Sequence, residues 1–108
     1  MQSSKHLAEV RKLPCMIRNS RGEHCNQPAE AHHLLRAEQR GTAQKAGDEW
    51  AVPLCLHHHT GGVHAYGDEV KFFKNWGVEY DLVKAYARHL AGGNYDDYSS
   101  FLAQHHHD

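Results

Sequence analysis

Side chains that hold metals are gathered at a few points along this 108-residue chain, and any fold it adopts has to bring those points to rest somewhere. Twelve residues are histidine and three are cysteine, the imidazole and thiolate groups most used as ligands for transition metals. Cys15 and Cys25 bracket a polar stretch rich in turn formers, and His32-His33 follows. Cys55 then opens the run Cys55-Leu56-His57-His58-His59, with His64 beyond it. Three cysteines cannot all pair with one another, and the N-terminus carries no basic, apolar and small-residue sequence of a secretory leader. The reading is a reducing, cytoplasmic setting in which thiols hold metal rather than form disulfides.

The rest of the chain reads as one small α+β domain. Residues 1–12 form an N-terminal segment, where Leu7 and Val10 with Ser4 as cap predict a single short helical turn. Ala31–Leu35 reads as a buried strand, residues 36–48 as an exposed loop, and Trp50–Leu54 as a second strand. Pro53 cannot donate to a ladder and marks an edge or a strand end there. Val63, Tyr66, Val70, Phe73 and Trp76 form a helical stripe ending at Gly77. Tyr80, Val83, Tyr86, Ala87 and Leu90 form another, closed by Gly92-Gly93. Residues 91–108 form a C-terminal tail, weakly patterned from Asn94 to Asp108 and expected to fray there. No apolar run approaches the roughly 20 residues of a membrane-spanning helix.

The ligand residues divide into two sets. A structural zinc site needs four soft or borderline ligands, supplied in pairs from two loops. Cys15 and Cys25 provide one pair, and Cys55 and His58, with a two-residue gap that suits a tight turn, provide the other. His32, His33, His59 and His64 are left over. Adjacent residues on a strand face opposite ways, so His32 and His33 are expected to differ in role, one binding a second metal and the other taking a proton from water. His59 and His64, about a helical turn apart, can reach that same metal. The isolated His6, His24 and His89 read as solvated or adventitious metal binders.

The order of the cysteine pair, Ala31-His32-His33, a polar loop, Val52-Pro53-Leu54-Cys55, His58-His59 and His64 resembles the HNH endonucleases of the ββα-metal fold. The segment from Pro53 through Gly67-Asp68-Glu69 to Phe72-Phe73 is similar to the phage-encoded, recombination-enhancing branch. That resemblance covers residues 13–90. It implies a ββα-metal fold with a zinc-bound loop region and an additional C-terminal helix. It also implies His33 as general base, His32, His59 and His64 as ligands of a catalytic divalent ion, and Cys15, Cys25, Cys55 and His58 as ligands of structural Zn2+. Where the family name leads one to expect asparagine, this chain has Asp48 or Trp50. The expected activity is hydrolysis of DNA phosphodiester bonds in a bacterial host, with a phage or host recombination or packaging partner.

Charge bears on how DNA would be held. Twelve Lys or Arg against thirteen Asp or Glu leave a net charge of -1, so no global field attracts a polyanion. Local cations must do so, and Arg36, Arg40 and Lys45, in the loop between the two half-sites, are the candidates for phosphate contacts. An imidazole-rich site suits Zn2+, Ni2+, Co2+ or Mn2+ better than a carboxylate cage would, with Mg2+ also considered. The alternative reading is a zinc-stabilised nucleic-acid-binding adaptor without turnover. Against it, a scaffold needs four ligands and no spare imidazoles beside them. A small-substrate zinc hydrolase is a more distant alternative, since the chain has no His-Glu-x-x-His helix.

Overall fold

The computed structural model describes residues 2–17, 28–36, 47–59, 62 and 67–105. Cys25, Arg40, Lys45 and His64, together with His24, Val63 and Tyr66, lie outside the described residues. The elements in chain order are α1 (Ser4–Arg11), β1 (Ala29–His33), a single 3-10 turn (Asp48–Trp50), β2 (Ala51–Cys55), α2 (Leu56–His58), α3 (Glu69–Asn75), α4 (Tyr80–Ala91) and α5 (Tyr98–His105). This is a small mixed α+β architecture, in which helices cover a two-stranded sheet.

The strands pair antiparallel with Ala29 opposite Cys55, Ala31 opposite Pro53 and His33 opposite Ala51. Both strands sit one or two residues from their expected positions. Pro53 does no harm to the ladder. Its carbonyl accepts from the Met16 amide at 3.0 Å, so its backbone N and O point away from β1, and the missing N–H is on the side where no ladder bond is due. That outward bond also docks the segment carrying Cys15 against β2. The ladder extends past His33 through Leu34 N–H to Trp50 O at 3.0 Å, which fixes the 3-10 turn beside the end of β1.

Both outer segments are better ordered than their patterns suggest. Helix α1 spans eight residues rather than one turn, because Ser3, not Ser4, is its N-cap, with Ser3 Oγ accepting from the His6 amide at 3.1 Å. Its inner residues His6 and Val10 are buried. The tail expected to fray contains α5, anchored by Tyr98 and Phe101, which are 5% and 1% exposed. Their rings meet Tyr86 of α4 at centroid distances of 5.0 and 5.2 Å. Spacing of i and i+3 puts these two aromatics on one face, and their burial against α4 supplies what propensity alone does not.

Helix α4 matches the reading closely. Val83, Tyr86, Ala87 and Leu90 are its buried stripe, and Gly93 at φ 92° ends it in a left-handed conformation that glycine alone adopts without strain. Helix α3 begins at Glu69, capped by the Asp68 side chain on the Lys71 amide. Val10, Leu34, Val52, Leu54, Phe73, Val83 and Phe101 belong to one continuous core. No helix among the described residues is long and apolar enough to cross a membrane.

Candidate active site

Three of the four expected zinc ligands come together. Cys15, Cys55 and His58 are all buried, with their ligand atoms within 4.8 Å of one another. Cys55 closes β2 and His58 lies one turn of α2 later, so the two-residue gap aims both at one point. Nδ1 of His58 lies 3.2 Å from Cys55 Sγ and 3.7 Å from Cys15 Sγ. Around a tetrahedral ion with Zn–S near 2.3 Å and Zn–N near 2.0 Å, neighbouring ligand atoms stand about 3.5 Å apart. The donor set and its spacing therefore fit a metal ion. Burial, with the charge of the neighbouring His57, pushes the His58 imidazole down from its ordinary pKa, which favours the neutral ring that a metal requires. The ring is fenced by Trp76, edge-on at 4.9 Å, and by Phe72 at 6.5 Å.

His32 and His33 diverge as strand alternation requires. His32 is 1% exposed and points into the protein, whereas the His33 side chain is 35% exposed. The inward face also carries Glu30, two residues earlier. The His32 and His59 rings meet edge-on with centroids 5.0 Å apart. This brings together two of the three residues assigned to the second metal, from the end of β1 and the end of α2.

Each of these imidazoles has a carboxylate on one ring nitrogen. Nε2 of His32 lies 2.7 Å from Oε1 of Glu69. Nδ1 of His59 lies 2.8 Å from Oε1 of Glu30. Nε2 of His33 lies 2.7 Å from Oδ1 of Asp48. Asp48 Oδ2 in turn accepts from the Ser3 amide at 2.6 Å. That amide is the largest influence holding the Asp48 carboxyl below its usual value, against a smaller opposing effect of burial.

Glu69 is the most heavily engaged of the three. Besides His32, its carboxylate accepts from the Leu35 and Arg36 amides, both at 3.0 Å, and from the Tyr80 hydroxyl. Burial alone would raise this carboxyl, but the bonds from His32, Tyr80, Leu35 and Arg36 together hold it below the usual glutamate value. Tyr80 is pushed far up by its own burial and by Glu69, so it stays a donor. Arg36 itself is exposed on the turn after β1.

Residue-by-residue reading missed Glu69 and Glu30 as parts of the site, although both left a signal. Glu69 stands at the start of the stripe Glu69, Phe72, Phe73 and Trp76, a carboxylate in a core position of a helix. Glu30 shares a strand face with His32. Two of the isolated histidines are not solvated as expected, because the fold gives each a polar partner: Nδ1 of the buried His6 meets the Tyr95 hydroxyl at 2.8 Å, and Nε2 of His89 meets Asp96 at 2.9 Å.

Residues 1–92 match the family described as protein of unknown function DUF968. The chain belongs to that family. A curated relative, the uncharacterized protein YdfU of Escherichia coli (strain K12), is 31% identical over 80 residues, which are 73% of this chain and 20% of the relative. The chain therefore spans about a fifth of the length of that relative. No solved structure matches.

Proposed function

We propose that this chain is an HNH-class endonuclease that hydrolyses DNA phosphodiester bonds, built as a ββα-metal fold with a structural zinc site beside a catalytic divalent ion. The observation that carries the reading is the carboxylate held against one ring nitrogen of His32 and of His59. Metal-binding histidines characteristically donate their second N–H to such a partner, which orients the ring and raises its basicity. His89 has the same kind of partner in Asp96, but His32 and His59 also bring their rings together, with centroids 5.0 Å apart.

In this reading Cys15, Cys55 and His58 hold structural zinc, with Cys25 as the fourth ligand. His32 and His59, with His64, hold the catalytic ion. When bound, that ion supplies Lewis-acid polarisation of the scissile phosphate and charge relief for the leaving oxygen. His33 does the remaining work. Its ring is open to solvent and lies next in sequence to His32, so it can take a proton from the attacking water. Arg36, Arg40 and Lys45 contact phosphates and fix the duplex without reading its sequence.

The test is incubation of purified protein with supercoiled plasmid and each of Mg2+, Mn2+, Ni2+, Co2+ and Zn2+, with and without chelator, beside His33→Ala. Wild type should nick or linearise the plasmid in a metal-dependent way. The variant should lose the activity by on the order of 100-fold or more while keeping its fold. A folded His33→Ala protein that cleaves normally would sink the assignment. Plasmid that is bound but never cut, with every ion, would favour the adaptor reading, which needs only the cysteine-rich site.

A further inference from the structure

The contact between His33 and Asp48 says which ring nitrogen is available for chemistry. We infer that Asp48, pinned by the start of α1, is the positioning residue that presents Nδ1 of His33 to the water it activates. The inference rests on the nuclease reading for the reaction, but its geometric half stands on its own.

A neutral imidazole carries one N–H. With Nε2 2.7 Å from a carboxylate oxygen, the proton belongs on Nε2, where Asp48 accepts it, and the Nδ1 lone pair is left for substrate. No described residue hydrogen-bonds Nδ1. Asp48 itself cannot swing away. Its second oxygen is held by the Ser3 amide at 2.6 Å, and Ser3 is fixed as the cap of α1 through the His6 amide. Asp48 also opens the 3-10 turn whose Trp50 carbonyl accepts from Leu34, the residue after His33. The ring is thus held at both ends, by its own strand and by a carboxylate locked from α1.

The proton transfer then balances simply. Water gives its proton to Nδ1, the ring becomes an imidazolium facing the Asp48 carboxylate, and the hydroxide oxygen forms the new bond to phosphorus. The ester oxygen leaves with the bonding pair and is protonated by solvent. Asp48 never takes the proton. It holds the tautomer and stabilises the charge that appears on the ring.

Asp48→Asn tests this, because an amide can turn its NH2 toward Nε2 and favour the opposite tautomer. We expect kcat for plasmid cleavage to fall on the order of 10- to 100-fold, with KM and bound metal within about two-fold of wild type. A second measurement needs no variant: long-range 1H–15N correlation spectra of the wild-type protein, purified with its bound metal, at about pH 8, where an ordinary imidazole is neutral. His33 should show the Nε2–H tautomer there, and Asp48→Asn should shift it toward Nδ1–H. An Nδ1–H ring in wild type, or a folded Asp48→Asn protein with unchanged kcat, overturns the inference. If the variant does not fold, the wild-type tautomer decides. If wild type cuts no DNA, the nuclease reading fails, and the same spectra still decide whether Asp48 sets the ring.

Discussion

Oε1 of Glu69 lies 2.7 Å from Nε2 of His32 with both side chains at most 2% exposed, across 37 residues of sequence. The carboxylate also gathers two amides of the turn after β1 and the hydroxyl of Tyr80 at the start of α4. It therefore ties β1, α3 and α4 together at one point. Glu69→Ala takes the carboxylate from the buried His32 ring and the Tyr80 hydroxyl, and breaking a buried charged network by removing one partner costs about 3–5 kcal/mol. Urea denaturation should show that loss, and Glu69→Gln, which still accepts through one oxygen, should lose less. A folded Glu69→Ala protein with wild-type stability would mean that solvent reaches this site.

The same carboxylate makes stability depend on acid in a defined direction. Its folded pKa lies below the ordinary glutamate value, so its contribution is complete above that value and is lost as pH falls through the folded one. The stability difference between wild type and Glu69→Gln should be flat above about pH 5 and narrow progressively below about pH 4. Urea midpoints at a series of pH values measure this. A difference that widens on the acid side would contradict the sign.

The two metal sites should separate by substitution. Cys15→Ser or Cys55→Ser removes a ligand from a buried cluster, and ion binding there is part of the folding free energy. Each should lose tightly held zinc by elemental analysis and melt lower by on the order of 10 °C, as a loss of about 2 kcal/mol in a domain of this size implies. His59→Ala, whose ring faces His32 and Glu30 instead, should keep that zinc. Equal zinc loss in all three variants would merge the two sites into one.

What the sequence made legible follows from how local each signal is. Helix α4 and its end could be read because a five-residue stripe and a glycine pair are neighbours in sequence. The pairing of Cys55 with His58 could be read for the same reason. Strand alternation alone was enough to part His32 from His33. The carboxylates were harder. Glu69 meets His32 and Ser3 meets Asp48 only after the chain has folded, across separations of 37 and 45 residues, and no periodicity encodes such a meeting. Helix α5 was missed because Tyr98 and Phe101 are stabilised by the Tyr86 ring rather than by their own segment.

DNA binding by a chain of net charge -1 must depend on a few local cations, and each phosphate neutralised adds about 0.9 to the slope of log affinity against log salt. Arg36 is the described member of the proposed set. Its backbone is held by Glu69 and Tyr80, so its exposed side chain starts from a fixed point just past His33. Replacing Arg36, Arg40 and Lys45 together with Ala should weaken binding about equally on two unrelated duplexes and flatten the slope by about 2 to 3. The measurement is made in a His33→Ala background, so that cleavage does not consume the probe, and metal content is checked in parallel. An unchanged slope would move the DNA surface to another face, and the exposed Lys71 and Lys74 of α3 would be the next substitutions to make.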